Sequence, residues 1–186
     1  MKRVALFAAV LLTTTAPVFA QTMAAPTVLV GGQSMFPART IVANAMNSAD
    51  HTTLVAAVKA AGLVDTLNSK GPFTAFAPTN EAFAYLPAST VDSLLKPENK
   101  PMLSKVLTYH VVAGEYDTTR LRSMIRAGNG TATLTTVEGR TLWLMMNGPT
   151  NIIVKDAKGD IADIGIGDVH QSNGVFHVID HVLLPG

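Results

Sequence analysis

Asn173-Gly174-Val175-Phe176-His177-Val178-Ile179-Asp180-His181-Val182-Leu183-Leu184-Pro185 is the stretch on which the reading of this chain turns. Asn-Gly is the dipeptide most often found where a tight hairpin needs positive φ angles, and the apolar run behind it has the length and composition of a strand. Working back from it, the pattern stays at period two. Thr131–Val137, Arg140–Met146, Ile152–Lys155, Ile161–Ile166 and Val175–Leu184 read as strands, with Glu138-Gly139, Asn147-Gly148, Lys158-Gly159 and Asn173-Gly174 as the turns between them.

The first half of the chain follows a different rhythm. From Ile41 the apolar residues recur at helical spacing; Asp50 is a plausible N-cap for the run through Leu54, Val55, Val58 and Ala61, and Gly62 is its stop signal. Phe73–Phe76 is the first strand of the main body, bounded by Gly71-Pro72 and Pro78, and Thr79 or Asn80 can cap a short helix through Tyr85. Pro87–Leu95 and Glu98–Thr108 read as further helices, Tyr109–Val112 as a strand, and Asp117–Ala127 as a helix ending at Gly128. Helices early and antiparallel strands late predict an α+β layered domain.

Three segments, in order, resemble the motifs of the fasciclin (FAS1) domain: Phe73-Thr74-Ala75-Phe76-Ala77-Pro78-Thr79-Asn80-Glu81-Ala82-Phe83, the pair Tyr109-His110 followed by Val111-Val112, and the closing stretch ending at Pro185. The resemblance covers residues 41–186 as one FAS1 domain. It implies a wedge-shaped antiparallel β-sandwich decorated by several short helices. It also implies a protein that mediates cell adhesion or surface association by binding a cell-surface or matrix protein or glycan, with no turnover.

Residues 1–20 have a basic start at Lys2 and Arg3, an apolar run from Val4 to Leu12 too short to span a bilayer, and small residues before Ala20. This pattern predicts a secretory signal peptide and a periplasmic or extracellular protein with no membrane span after its removal. Residues 21–40 read as an N-terminal extension, extended and either lying on the domain or free of it. The net charge of +1 includes Lys2 and Arg3, so the exported chain is near neutral and carries no electrostatic footprint for nucleic acid. There is no cysteine, which removes disulfides, thiol catalysis and thiolate metal sites. A monomer is expected.

The candidate contact residues are Tyr109, His110, Thr79, Asn80 and His177. For Tyr109-His110, adjacent strand residues point to opposite faces, so one side chain is expected inside and the other out. Two roles stay open for His110: direct contact with a partner, as the adhesion association of this region in fasciclin relatives implies, or packing, with a hydrogen bond to the polar turn near Thr79 and Asn80. Thr79 and Asn80 read first as caps and turn braces, second as a recognition loop. His177 and His181 have the spacing of a helical metal pair, but on a strand their α-carbons would lie about 13 Å apart, which one ion does not bridge. Asp156, Asp160, Asp163 and Asp168 lack calcium-loop spacing. No nucleophile elbow or phosphate loop is present, so no catalytic residue, metal or cofactor is expected. The alternative function is a soluble carrier of an apolar small molecule such as haem or lipid.

Overall fold

Gly174–Ile179 (β9) is six buried residues in a row, and a strand buried on both faces belongs in the middle of a sheet. The computed structural model, which describes residues 27–186, places it there. On one side β9 pairs with β3 (Phe73–Pro78), on the other with β8 (Ile161–Gln171). The seven-stranded sheet runs β4 (Val111–Ala113), β3, β9, β8, β7 (Asn151–Lys155), β6 (Thr141–Asn147), β5 (Thr131–Thr135). From β5 to β9 it is the expected antiparallel meander. The β3–β9 pair is parallel instead, because the two strands are joined through the whole helical segment and the meander rather than by a hairpin.

The sheet curls until its ends meet. Val112 of β4 bridges Thr136, the residue after β5, and the Val137 N–H donates to the Val111 carbonyl at 2.7 Å. The interior so formed holds Phe76, Leu142, Leu144, Val154 and Ile179, and α7 (Thr118–Ala127) adds Leu121 and Ile125 to it. Because strand neighbours face opposite ways, Phe176 and Val178 of β9 and Ala75 and Ala77 of β3 point to the other face. That face is covered by α1 (Ile41–Ala45), α2 (Thr52–Ala61), α3 (Val64–Leu67) and the residues ahead of them. Further helices, α4 (Asn80–Ala84), α5 (Ala88–Leu94) and α6 (Lys100–Tyr109), line the flank, where Leu103 and Leu107 of α6 pack on Ala57 and Val58.

Several boundaries differ from the sequence reading, each for a local reason. The signal-peptide expectation for residues 1–20 lies outside the described residues. Within the extension, Val28–Val30 (β1) and Gln33–Met35 (β2) form a hairpin whose turn residues Gly31 and Gly32 have φ of 58° and 70°. Val30 and Met35 are buried against the Phe176 face, so this part of the extension is packed. Tyr109 does not begin a strand: it ends α6, and His110 is the C-cap. The spacing of Leu103, Val106, Leu107 and His110 is helical, and the strand starts one residue later. β8 runs five residues past Ile166, through two register shifts that its glycines and Asp168 (φ 58°) accommodate. β9 stops at Ile179, and beyond it the chain is held by side chains: Leu183 N–H donates to His110 Nε2 and Leu184 N–H to Asp156 Oδ2.

The Asn-Gly pair does more than turn the chain. The hairpin loop is Ser172-Asn173, and of the pair only Gly174 has positive φ, at 149°. Asn173 is buried; its Oδ1 accepts from Ile41 N–H (2.9 Å), its Nδ2 donates to Leu67 and Ser69 carbonyls (2.8 and 3.2 Å), and its own carbonyl accepts from Phe73 N–H (3.0 Å). One residue thus ties the start of α1, the end of α3 and the start of β3 to the hairpin. A Cβ on Gly174 would lie 1.9 Å from the Phe73 carbonyl oxygen. Gly174→Ala is therefore expected to prevent folding or cost more than about 3 kcal/mol, and Asn173→Ala, which leaves the buried Ile41 N–H without a partner, about 2–4 kcal/mol. Urea titrations followed by circular dichroism check both.

Candidate functional site

The Tyr-His pair lies at the junction between α6 and β4, and the geometry there corrects two expectations. Neither residue points outward: Tyr109 is 0% and His110 3% exposed. The Tyr109 hydroxyl donates to the Thr141 carbonyl (2.9 Å) and accepts from Ala157 N–H (3.0 Å), joining the helix end to β6 and to the turn after β7. His110 is not bonded to the Thr79–Asn80 turn. Its Nε2 accepts from Leu183 N–H at 3.0 Å, so its Nδ1 carries the proton and donates to the Val106 carbonyl at 2.7 Å. The ring is a clamp between α6 and the C-terminal segment. Its side chain has no path to a partner in this structure.

His177 is also enclosed. Its ring stacks on Phe76 with centroids 5.6 Å apart; Nε2 donates to the Tyr116 carbonyl (2.8 Å) and Nδ1 accepts from Asp168 N–H (3.3 Å). His51, which sequence reading did not single out, is buried too, with Nδ1 2.9 Å from Ser48 Oγ and its ring 5.2 Å from that of Phe176. Burial pushes the pKa of all three imidazoles down, that of His110 to about 4, against the opposing pull of the Val106 carbonyl.

Thr79 and Asn80 are half-buried and act on two different helices. Thr79 caps α4, its Oγ1 accepting from Ala82 N–H at 3.2 Å. Asn80 caps α2 from outside: Oδ1 accepts from Thr53 N–H (2.9 Å) and Thr52 Oγ1 (3.1 Å), and Nδ2 donates to the Ala49 carbonyl (2.9 Å). Asp50, expected to be that cap, lies in a short 3-10 turn before the helix. The sequence distance between Asn80 and Thr53 is what hid this contact.

The aspartates serve the backbone. Asp156 is buried in its turn, Oδ1 accepting from Lys158 and Asp160 N–H groups (both 2.9 Å). Asp168 accepts from Thr118 N–H at the start of α7 (2.6 Å). Among the described residues no group of three His, Asp or Glu side chains is arranged to hold a metal ion.

What the surface does offer is an aromatic platform that sequence reading missed. Tyr85, just past α4, is 69% exposed, and the His181 ring lies nearly parallel to it, 8° off, with centroids 4.9 Å apart. Asp180 Oδ1 is 2.9 Å from His181 Nδ1 and also accepts from Asp163 N–H at 2.7 Å, which fixes the pair to the sheet. An exposed Tyr in a run of alanines carries no periodic signal, so only the fold shows that His181 backs it.

A curled mixed sheet with helices on one face and a buried Tyr-His junction defines the class. The Fasciclin domain family matches residues 49–185, and the chain belongs to that family. It is 47% identical over 150 residues to protein sll1483 of Synechocystis sp., spanning 80% of this chain and 74% of that one. It is 37% identical over 161 residues to the immunogenic protein MPB70 of Mycobacterium bovis, spanning 84% and 72%, and 40% identical over 123 residues to the cell surface glycolipoprotein MPB83 of the same species, spanning 66% and 48%. Among solved structures, a FAS1 domain pair from the insect cell adhesion molecule Fasciclin I superposes with a TM-score of 0.56 at 26% identity, over 68% of this chain and 42% of that one. The chain thus spans less than half of that two-domain structure. No helix among the described residues is long and apolar enough to cross a membrane.

The buried imidazoles make stability depend on pH. The unfolded chain takes up a proton at His110 near pH 6.5, while the folded protein resists it down to about pH 4. Stability is therefore complete above about pH 6.5 and falls as the pH drops through that window, by up to ~3 kcal/mol from His110, with His51 and His177 acting in the same direction. Urea unfolding at pH 7.5 and 4.5 reads this loss directly. His110→Ala is expected to be less stable at pH 7.5 but to show a flatter acid limb than the parent.

Proposed function

We propose that this protein is an exported binding module that attaches to a cell-surface or matrix protein or glycan, without catalysis, as a monomer. The observation that carries this reading is the Tyr85–His181 platform. A tyrosine this exposed, held face to face with a second ring, presents a rigid apolar surface with a hydroxyl at its edge, suited to a sugar ring or a partner's side chain. Thr79 and Asn80 sit at the other end of the same short helix, α4, and hold it in place. His110 contributes from inside, by holding the C-terminal segment that carries His181, while Tyr109 and His177 brace the body of the domain. Export is supported by the pattern of residues 1–20, and adhesion by the names of two similar proteins, a cell surface glycolipoprotein and a cell adhesion molecule.

A second reading, a carrier of an apolar small molecule, has one observation in its favour: an apolar cavity between the α1–α3 face and β3. Its haem version is not supported, because among the described residues the imidazole lining that cavity is that of His110, whose two nitrogens are already bonded.

The adhesion reading is checked with Tyr85→Ala and His181→Ala. Both side chains are exposed, so unfolding free energies within about 0.5 kcal/mol of the parent are expected. Binding to immobilised cell envelopes and extracellular-matrix preparations should fall at least about tenfold for Tyr85→Ala, a loss of ~1.4 kcal/mol. Unchanged binding in both variants would remove this platform from consideration, and no binding by the parent would remove the adhesion reading.

A further inference from the structure

We infer that the cavity between α1, α2, α3 and the outer face of β3 and β9 is a binding site for a single-chain anionic amphiphile, of the fatty-acid type, with its carboxylate held at Lys59. This rests on the carrier reading and gives it a ligand class. The cavity has a volume of about 50 Å³, so a ligand must displace part of its lining to enter. It is a slot between helices and sheet, part of it open to solvent. Its walls include Ile41, Val42, Val58, Val64, Leu67 and Phe176, and the polar exceptions are Lys59 and His110. His110 offers no free nitrogen, so the interior has nothing with which to hold a polar group.

Close packing of the helices on the sheet favours a thin, flexible chain over a rigid ring. A flat polycyclic ligand would have to displace a helix, whereas an unbranched alkyl chain is thin enough to enter once one wall gives slightly. α3 is the wall that can give: it has only four residues, and none of them is fully buried. Its Val64 and Leu67, with Leu54 and Val55 of α2, are left half-exposed around the slot. Apolar walls facing unfilled space forgo contacts that methylene groups would restore.

The charge at the mouth selects the head group. Lys59, exposed in the last turn of α2, lines the slot, and the Lys100 ammonium lies beside Gly62 at the end of the same helix, 3.3 Å from where a Cβ on that glycine would be. Neither lysine is ion-paired among the described residues, and Asp65, the one acid on α3, is paired with neither. An unpaired cation lining an apolar slot complements a carboxylate on an alkyl tail and opposes a cationic head on the same tail.

The test is isothermal titration of the purified full chain at pH 7.5 with three probes of equal chain length, below their micelle concentrations: laurate, dodecanol and dodecyltrimethylammonium. Laurate is expected to bind with a stoichiometry of one and more tightly than the cationic probe. Lys59→Glu should weaken laurate roughly five- to tenfold and leave dodecanol unchanged. Val64→Trp and Leu54→Trp, half-exposed lining positions on α3 and α2, should each block all three probes; circular dichroism confirms which of them is folded. If all three probes bind alike and Lys59→Glu changes nothing, the anionic assignment is overturned while the carrier reading stands. Binding that survives in a folded Trp variant would place the chain elsewhere and overturn the site. If no probe binds the parent, the site and the carrier reading both fall.

Discussion

The domain is organised around a buried strand that two halves of the chain must share. β9 takes a parallel partner from the helical half and an antiparallel partner from the meander, so neither half can complete its sheet alone. Asn173 secures that arrangement at one end, with four backbone groups from three distant segments converging on a single residue. At the other end His110 and Asp156 hold the segment that leaves the sheet. The strand is pinned at both ends by polar side chains that are themselves inside, where each bond is worth most and its loss costs most.

The same arrangement explains why the family's Tyr-His pair and its closing motif sit so far apart in the chain. They meet in space: the imidazole of the first accepts a hydrogen bond from the backbone of the second. A substitution at His110 would release the segment carrying His181 from α6, and so change the surface around Tyr85 without either ring touching it. The surface around Tyr85 and the stability of the domain are in this way tied through one set of hydrogen bonds, and a change in the one at His110 has to be read beside a measurement of the other.

Much of the fold was legible in the sequence because the signals were local. The turns at Gly139, Gly148 and Gly159, the αL stop at Gly62 and the cap at Thr79 are each decided by residues within a few positions. What escaped was non-local or ambiguous in period. Asn80 capping α2, Asn173 reaching Leu67, and the parallel register of β3 depend on segments that sequence spacing does not bring together. Tyr109-His110 was misplaced by a few residues because a short apolar run fits either period. The hairpin at Gly31-Gly32 was read as part of an extended tail, because flanks of only three residues are too short to show a strand period. Of the candidate residues, Tyr109, His110 and His177 are enclosed, which spacing along the chain does not show, because burial is a property of the assembled layers. Tyr85 and Lys59, which the surface itself singles out, belong to no motif.

The bridge between Val112 and Thr136 has a consequence for how this protein can meet others. By curling until β4 touches the end of β5, the main sheet spends its rim on itself. An open rim is a template onto which another chain can add a strand, and rows of such additions grow into fibres. A chain without cysteine has no disulfide to prevent that. The sheet does so in part by geometry, where β4 meets the residue after β5, which favours side chains and helix faces as the means by which a partner is recognised.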